Sequence, residues 1–375
     1  MSFRMPAGLS AATRLVRDGK LMDATAAIQR ALKGEVAEST TQRDGAEVIE
    51  GTWRIVEADC GVPLRPGQTI DEFGERATLR TPAPGGRFIT SSYTNHAGTR
   101  RYKTYIPTQY HGQALPLIIM LHGCKQGPDD FAAGTRMNAL AEEHGFIVVY
   151  PAQVKNANAS NCWNWFQPAD QQRDTGEPSL IAGITREVAQ TYKLDSRRVY
   201  IAGLSAGGAM AAIMATTYPD LYAAVGVHSG LAHGSAADIP SAFAAMRGEG
   251  MLGARTRTSS SESARRTIPA IVFHGDNDTT VHPSNGERVI AQGAAPFRSE
   301  DKTAQAQSTI VQGKSGGRTY TRTTHVNDGG KSIMEHWVVH GAGHAWSGGS
   351  ARGSFADEKG PDASREMLRF FLQHP

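Results

Sequence analysis

The sequence predicts an α/β fold: a mostly parallel, twisted sheet with helices on both faces. Two observations carry that expectation. Short apolar runs rich in Val and Ile recur along the chain, and helical patterns lie between several of them. At 375 residues, the chain can hold one large α/β domain and a small appendage, because single domains of this class run past about two hundred residues.

In chain order, residues 10–33 place Leu15, Val16, Leu21, Ile28 and Leu32 in two helical stretches broken at Asp18-Gly19-Lys20. That pattern predicts a helical hairpin over residues 1–34. Residues 35–85, polar and rich in Gly, Pro and Thr, read as a linker that wraps the surface. The main domain, 86–375, opens with the alternating stretches Arg87–Tyr93 and Arg100–Ile106 around the turn Thr94–Gly98, an antiparallel hairpin. The expected buried strands follow at Pro116–Leu121, Phe146–Tyr150, Val199–Ala202, Ala223–Val227, Ile268–Phe273 and Ile333–Val339. Helices are expected at Phe131–His144, Ser179–Tyr192, Ala206–Thr217, Asn285–Gln292 and Pro361–Gln373. Strand–helix alternation with right-handed crossovers winds such a sheet in both directions. Residues 233–266, polar and serine-rich, interrupt the alternation and are expected to form a lid insertion.

Composition excludes several classes. Hydrophobic residues at 39% and charged residues at 20% argue against disorder and fibrous architecture. Basic residues are spread among acidic ones, with a net charge of +3, and form no stripe for nucleic acid. No run reaches the roughly eighteen apolar residues of a membrane span. The N-terminal stretch shows no apolar core followed by a small-residue cleavage site, so the cytoplasm is the default expectation. Cys60, Cys124 and Cys162 are too few for a disulfide scaffold or a zinc ribbon, and at most one bridge can form.

The chemistry is carried by Gly203-Leu204-Ser205-Ala206-Gly207. A G-x-S-x-G elbow needs this spacing because a serine on a sharp strand-to-helix turn exposes its hydroxyl, while small neighbours let the backbones pack closely. The pattern alone is weak among 41 glycines, and Gly313-Lys314-Ser315-Gly316-Gly317 also fits. Only the first match follows an apolar strand and precedes an Ala- and Met-rich helix, so Ser205 is the candidate nucleophile. An acid and then a histidine are expected after later strands. The run ending at Phe273 leads into His274-Gly275-Asp276-Asn277-Asp278, and Asp278, deeper in the loop, is taken as the orienting carboxylate, with Asp276 as a turn cap. The last strand leads into His340-Gly341-Ala342-Gly343-His344, which makes His344 the general base and His340 a packed strand residue. Backbone N–H donors for the oxyanion are expected from Ala206 and from Cys124, in the loop opened by Leu121-His122-Gly123.

Together LHGCKQ, Asn161-Cys162-Trp163-Asn164-Trp165-Phe166, AGLSAGGAMA, HGDNDTTV and GAGHAWSGG resemble the polyhydroxyalkanoate (polyhydroxybutyrate) depolymerase esterases, near the feruloyl and acetylxylan esterases, over roughly residues 86–375. The resemblance implies an α/β-hydrolase fold, a Ser205–His344–Asp278 triad, no cofactor and no metal, and an ester substrate. It also implies that Cys124 and Cys162 pair and that Trp163 and Trp165 line the ester cleft, with His122 and Trp346 counted among the substrate contacts. It points to a secreted or periplasmic protein, although neither a signal peptide nor a separate polymer-binding domain is evident in the sequence. The implied activity is hydrolysis of 3-hydroxybutyrate polyester or oligomers, with feruloyl or acetyl carbohydrate esters as the alternative. Two readings from other classes stand beside it: a metal-dependent hydrolase using His336, His340 and His344, and a catalytically silent binding protein on the same fold.

Overall fold

The computed structural model describes residues 85–249, 268–294, 308–327 and 330–375. The expected helical hairpin at 1–34, the linker up to residue 84 and the lid stretch from 250 to 266 lie outside the described residues.

The strands are β1 (Arg87–Asn95), β2 (Gly98–Ile106), β3 (Leu115–Leu121), β4 (Ile147–Pro151), β5 (Leu194–Leu204), β6 (Ala224–His228), β7 (Ala270–Gly275), β8 (Ser308–Ser315), β9 (Arg318–Val326) and β10 (Ser332–Val339). They form one sheet in the order β1-β2-β4-β3-β5-β6-β7-β10-β9-β8. The central strands from β4 to β10 run parallel, and an antiparallel hairpin extends each end. The alternation of side chains along a strand explains why the central runs are apolar throughout. Leu117, Ile119 and Leu121 of β3 enter one core, while Ile118 and Met120 enter the other.

Helices α1 (Pro128–Thr135), α2 (Met137–His144), α3 (Gly176–Thr191), α4 (Ala206–Thr217), α5 (Ile239–Met246), α6 (Ser284–Ala294) and α7 (Ala363–Leu372) cover the sheet. α3, α4, α5 and α6 close the first core, and α1, α2 and α7 the second. The single helix expected over 131–144 is two, because Arg136 takes a left-handed conformation (φ 55°) between them. Within the lid region, residues 239–246 form α5, started by an Asp238 capping box with Ser241.

The second G-x-S-x-G match lies at the turn joining β8 to β9, with Gly316 and Gly317 both at positive φ. A hairpin turn leads into no helix, so Ser315 lacks the setting of a nucleophile. No helix is long and apolar enough to cross a membrane among the described residues.

Candidate active site

The residues singled out in the sequence gather at the C-terminal edge of the parallel strands, where open α/β sheets place their sites. Ser205 follows β5, Asp278 lies three residues after β7, and His344 lies in the loop after β10. Cys124 lies just past β3.

Ser205 stands at the sharp junction of β5 and α4 with φ 58° and ψ −120°. A non-glycine residue there costs on the order of 1–3 kcal/mol, and such strain persists only where the surroundings enforce it. The enforcing contacts are backbone hydrogen bonds: Ser205 N–H donates to His228 O at 2.9 Å, and Ala209 N–H donates to Ser205 O at 2.9 Å. The flanking glycines are required sterically. A Cβ on Gly207 would sit 2.1 Å from Leu121 O, and one on Gly203 would sit 2.3 Å from Gly207 O. Close approach of β5, α4 and the end of β3 therefore produces the elbow.

Asp278 and His344 meet: His344 Nδ1 donates to Asp278 Oδ2 at 2.7 Å. The two loops are held together by backbone as well, with Asn277 N–H donating to Ala342 O at 3.0 Å. The other carboxylate oxygen, Asp278 Oδ1, accepts the N–H groups of Thr280 and Val281, each at 2.9 Å. Burial alone would raise the Asp278 carboxyl. Hydrogen bonds from His274 and His344, the charge of His344 and the Val281 N–H outweigh it and hold the group far below the usual carboxylate range. The anion fixes the imidazole with its proton on Nδ1 and leaves Nε2 as the basic nitrogen. No hydrogen bond joins Ser205 Oγ to His344 among the described residues, an arrangement common before a substrate tightens such a site.

Asp276 and His340 form a second acid–histidine pair at 2.8 Å, and His340 Nε2 lies 2.9 Å from Thr321 Oγ1. Asp276 thus also caps Gly341, accepting its N–H at 2.7 Å, and His340 is half exposed instead of packed in the strand. The pair has no elbow beside it, since Thr321 lies within β9. His336 is partly buried and faces α6, where a Cβ on Gly286 would sit 2.9 Å from its Nε2. The three histidines of the metal reading therefore serve three different settings, and no group of three His, Cys, Asp or Glu side chains among the described residues could hold a metal ion.

The two N–H groups expected to face an oxyanion, those of Cys124 and Ala206, have no protein acceptor among the described residues. Gly123 N–H, by contrast, is taken by Gln126 Oε1 at 3.0 Å. A disulfide joins Cys124 to Cys162 across 38 positions. Lys125, at φ 66°, donates its N–H to Ser160 O at 2.7 Å, so bridge and backbone together set the turn that carries the Cys124 amide. Cys162→Ser should lower stability by about 4 kcal/mol through loop entropy and reduce kcat by loosening that amide. Thermal unfolding and ester turnover with and without dithiothreitol check both.

The aromatic residues expected to meet substrate are placed otherwise. Trp163 is buried and donates its indole N–H to His122 O at 3.1 Å, while Trp346 is buried and donates to Ser364 Oγ at 3.0 Å. His122 is buried as well: its Nδ1–H donates to Gly123 O at 2.8 Å and its Nε2 accepts Gln153 N–H at 3.1 Å. Burial lowers His122 to about 4, which keeps it neutral. These three brace the loops from behind and do not line a cleft, because large apolar rings gain more from core packing than from water contact. Trp165 packs edge-on against Phe166 within the same core.

Sequence reasoning missed the supporting layer. His228, at the end of β6, accepts Ser347 N–H at Nε2 (3.0 Å), faces Ser229 Oγ with Nδ1 and stacks on Phe273 and Trp346. Burial lowers it to about 3, so it is a neutral spacer between the elbow and the His344 loop. Buried Glu177 accepts from Asn164 N–H (2.7 Å), Asn164 Nδ2 (2.8 Å) and Gln153 Nε2, tying the loop of Cys162 to the support behind His122. Burial pushes its carboxyl up to about 6, with Asp170 adding to the rise. A polar residue closing an apolar strand run, as in Val225-Gly226-Val227-His228, was the only signal available for this layer.

The architecture matches known enzymes. An acetyl xylan esterase structure from Aspergillus awamori aligns over 77% of this chain and 100% of that one with a TM-score of 0.61 at 20% identity, which establishes the α/β-hydrolase fold. A poly(3-hydroxyalkanoate) depolymerase C from Paucimonas lemoignei is 29% identical over 68% of this chain and 60% of its own length. Feruloyl esterase B of Neurospora crassa is 36% identical over 41% of this chain and 51% of its own length, and a probable acetylxylan esterase A of Aspergillus flavus is 30% identical over 56% of this chain and 70% of its own. The chain thus spans 60% and 51% of the length of the first two of these relatives. The family model described as "Esterase PHB depolymerase" matches residues 100–302, more than half of the chain, and the chain belongs to that family.

Proposed function

We propose that this protein is a serine esterase that hydrolyses short-chain esters, 3-hydroxybutyrate polyester or its oligomers foremost, through an acyl-enzyme. The observation that carries the reading is the 2.7 Å Asp278–His344 hydrogen bond at the same sheet edge as the strained Ser205 elbow. Ser205 Oγ attacks the ester carbonyl as His344 Nε2 takes its proton. The carbonyl oxygen gains negative charge and is met by the N–H groups of Ala206 and Cys124, each such donor being worth about 3 kcal/mol. Collapse expels the alcohol, which leaves with the proton held by His344, and the acyl group stays on Ser205. Water then attacks that ester, His344 takes its proton and returns one to Ser205, and the carboxylic acid departs.

The names of the relatives support esters of hydroxyalkanoates, ferulate or acetylated xylan as substrates, and the triad chemistry is common to all three. Turnover of 3-hydroxybutyrate oligomers, methyl ferulate and acetylated xylan by one preparation decides among them. The expected result is a kcat/KM for the oligomers at least about tenfold above the others. Preference for ferulate or acetylated xylan would move the assignment to a carbohydrate esterase. Activity that is lost on prolonged EDTA treatment and survives a serine-directed phosphonate would instead establish a metal-dependent hydrolase.

A further inference from the structure

Phe355 is anomalous in two independent ways. The residue is 43% exposed, in a domain whose other large aromatics are mostly buried. Its backbone lies at φ 50°, a left-handed conformation that a bulky side chain disfavours. Strain of this kind at an exposed apolar residue contributes nothing to the core and calls for a role elsewhere.

Its surroundings supply the role. The phenyl ring stands edge-on to the His344 imidazole, with centroids 6.5 Å apart at 79°. The residue is fixed from both sides. Phe355 O accepts Trp346 N–H at 2.7 Å. The preceding residue, Ser354, donates N–H and Oγ–H to the Asp130 carboxylate at 2.8 and 2.6 Å, while Ser354 O accepts from Gln126 Nε2 at 2.9 Å. Gln126 is the residue whose Oε1 holds Gly123 N–H. One buried amide side chain therefore ties the oxyanion loop and the Phe355 loop into a single rigid mouth.

Resting on the serine-esterase reading, we propose that Phe355 is the alcohol-side wall of the site and selects esters whose leaving alcohol carries an apolar chain. His344 delivers its proton to the leaving oxygen, so a group beside that imidazole lies against the alcohol half of the ester, not the acyl half. A phenyl wall gains from desolvating an apolar alcohol chain.

The test varies the two halves of the ester separately. For wild type, Phe355→Ala, Phe355→Leu and Phe355→Gly, kcat/KM is measured for methyl, butyl and benzyl esters of 3-hydroxybutyrate. It is then measured for methyl esters of acetate, butyrate and hexanoate. Active sites are counted with a phosphonate that labels the serine. The expected result is an alcohol-series preference of butyl and benzyl over methyl that falls about tenfold in Phe355→Ala and is largely restored in Phe355→Leu, with the acyl series unmoved. Phe355→Gly, relieved of its left-handed strain, shows the same loss and melts no lower than wild type. An unchanged alcohol preference in fully labelled Phe355→Ala, or an equal change in the acyl series, overturns the proposal while leaving the esterase reading in place. A wild-type chain neither labelled by the phosphonate nor active on any ester overturns both.

Discussion

Ser205→Ala is expected to lower kcat on p-nitrophenyl butyrate by about 10⁶-fold, leaving the residual rate that binding and oxyanion donors supply without a nucleophile. The loss should be purely chemical. Ser205 Oγ makes no hydrogen bond among the described residues, and alanine keeps the Cβ, so φ 58° is no more strained than before. Thermal unfolding should therefore coincide with wild type within a degree or so. Ser205→Gly, equally inactive, should melt higher, because glycine adopts that conformation without the strain of about 1–3 kcal/mol. Hydrolysis by Ser205→Ala at the wild-type rate would remove Ser205 from the mechanism.

Asp278→Asn should cost about 10⁴-fold in kcat with the fold intact. An asparagine oxygen can still accept the Thr280 and Val281 N–H groups, which are met by Oδ1. Its amide NH₂ would then face His344 Nδ1, where Oδ2 now accepts. Two donors cannot share that contact, so the imidazole adopts the other tautomer and Nε2 carries the proton. A base already protonated cannot accept from Ser205. Steady-state kinetics together with the nitrogen chemical shifts of His344 would read both halves of this expectation. A variant as fast as wild type would assign the orienting role elsewhere, and Asp276→Asn, which touches His340 and the Gly341 N–H but not His344, provides the control.

Much of this site was legible in order because its logic is local. The elbow needs glycines two residues either side of the serine after an apolar strand, and residues 199–207 state that directly. The acid and base fall in loops just beyond apolar runs, so strand placement alone brought Asp278 and His344 to one edge. What was not legible depends on tertiary packing. Nothing in Thr135-Arg136-Met137 marks a left-handed break, since neither Gly nor Pro stands there. β8, with Ser308, Thr309, Gln312, Gly313 and Lys314, lacks the apolar alternation of a half-buried strand because it lies at the sheet edge, exposed along most of its length. Trp163 and Trp346 look alike as cleft or core residues in a sequence, and only the acceptors that take their indole N–H groups separate the two.

The layer of dry imidazoles behind the elbow carries a consequence for acid tolerance. His122 at about 4 and His228 at about 3 refuse a proton in the native state that the same rings accept near 6.5 once unfolded. Because the unfolded chain binds more protons across that interval, native stability drains away as acidity increases from about pH 6.5 downward. Asp278 extends the loss to still lower pH, its carboxyl being depressed below its unfolded value. Glu177, raised to about 6, pulls the other way between its unfolded value and 6. With two rings set against one carboxyl, this layer behind Ser205 is expected to weaken the native state as pH falls from about 6.5 towards 4.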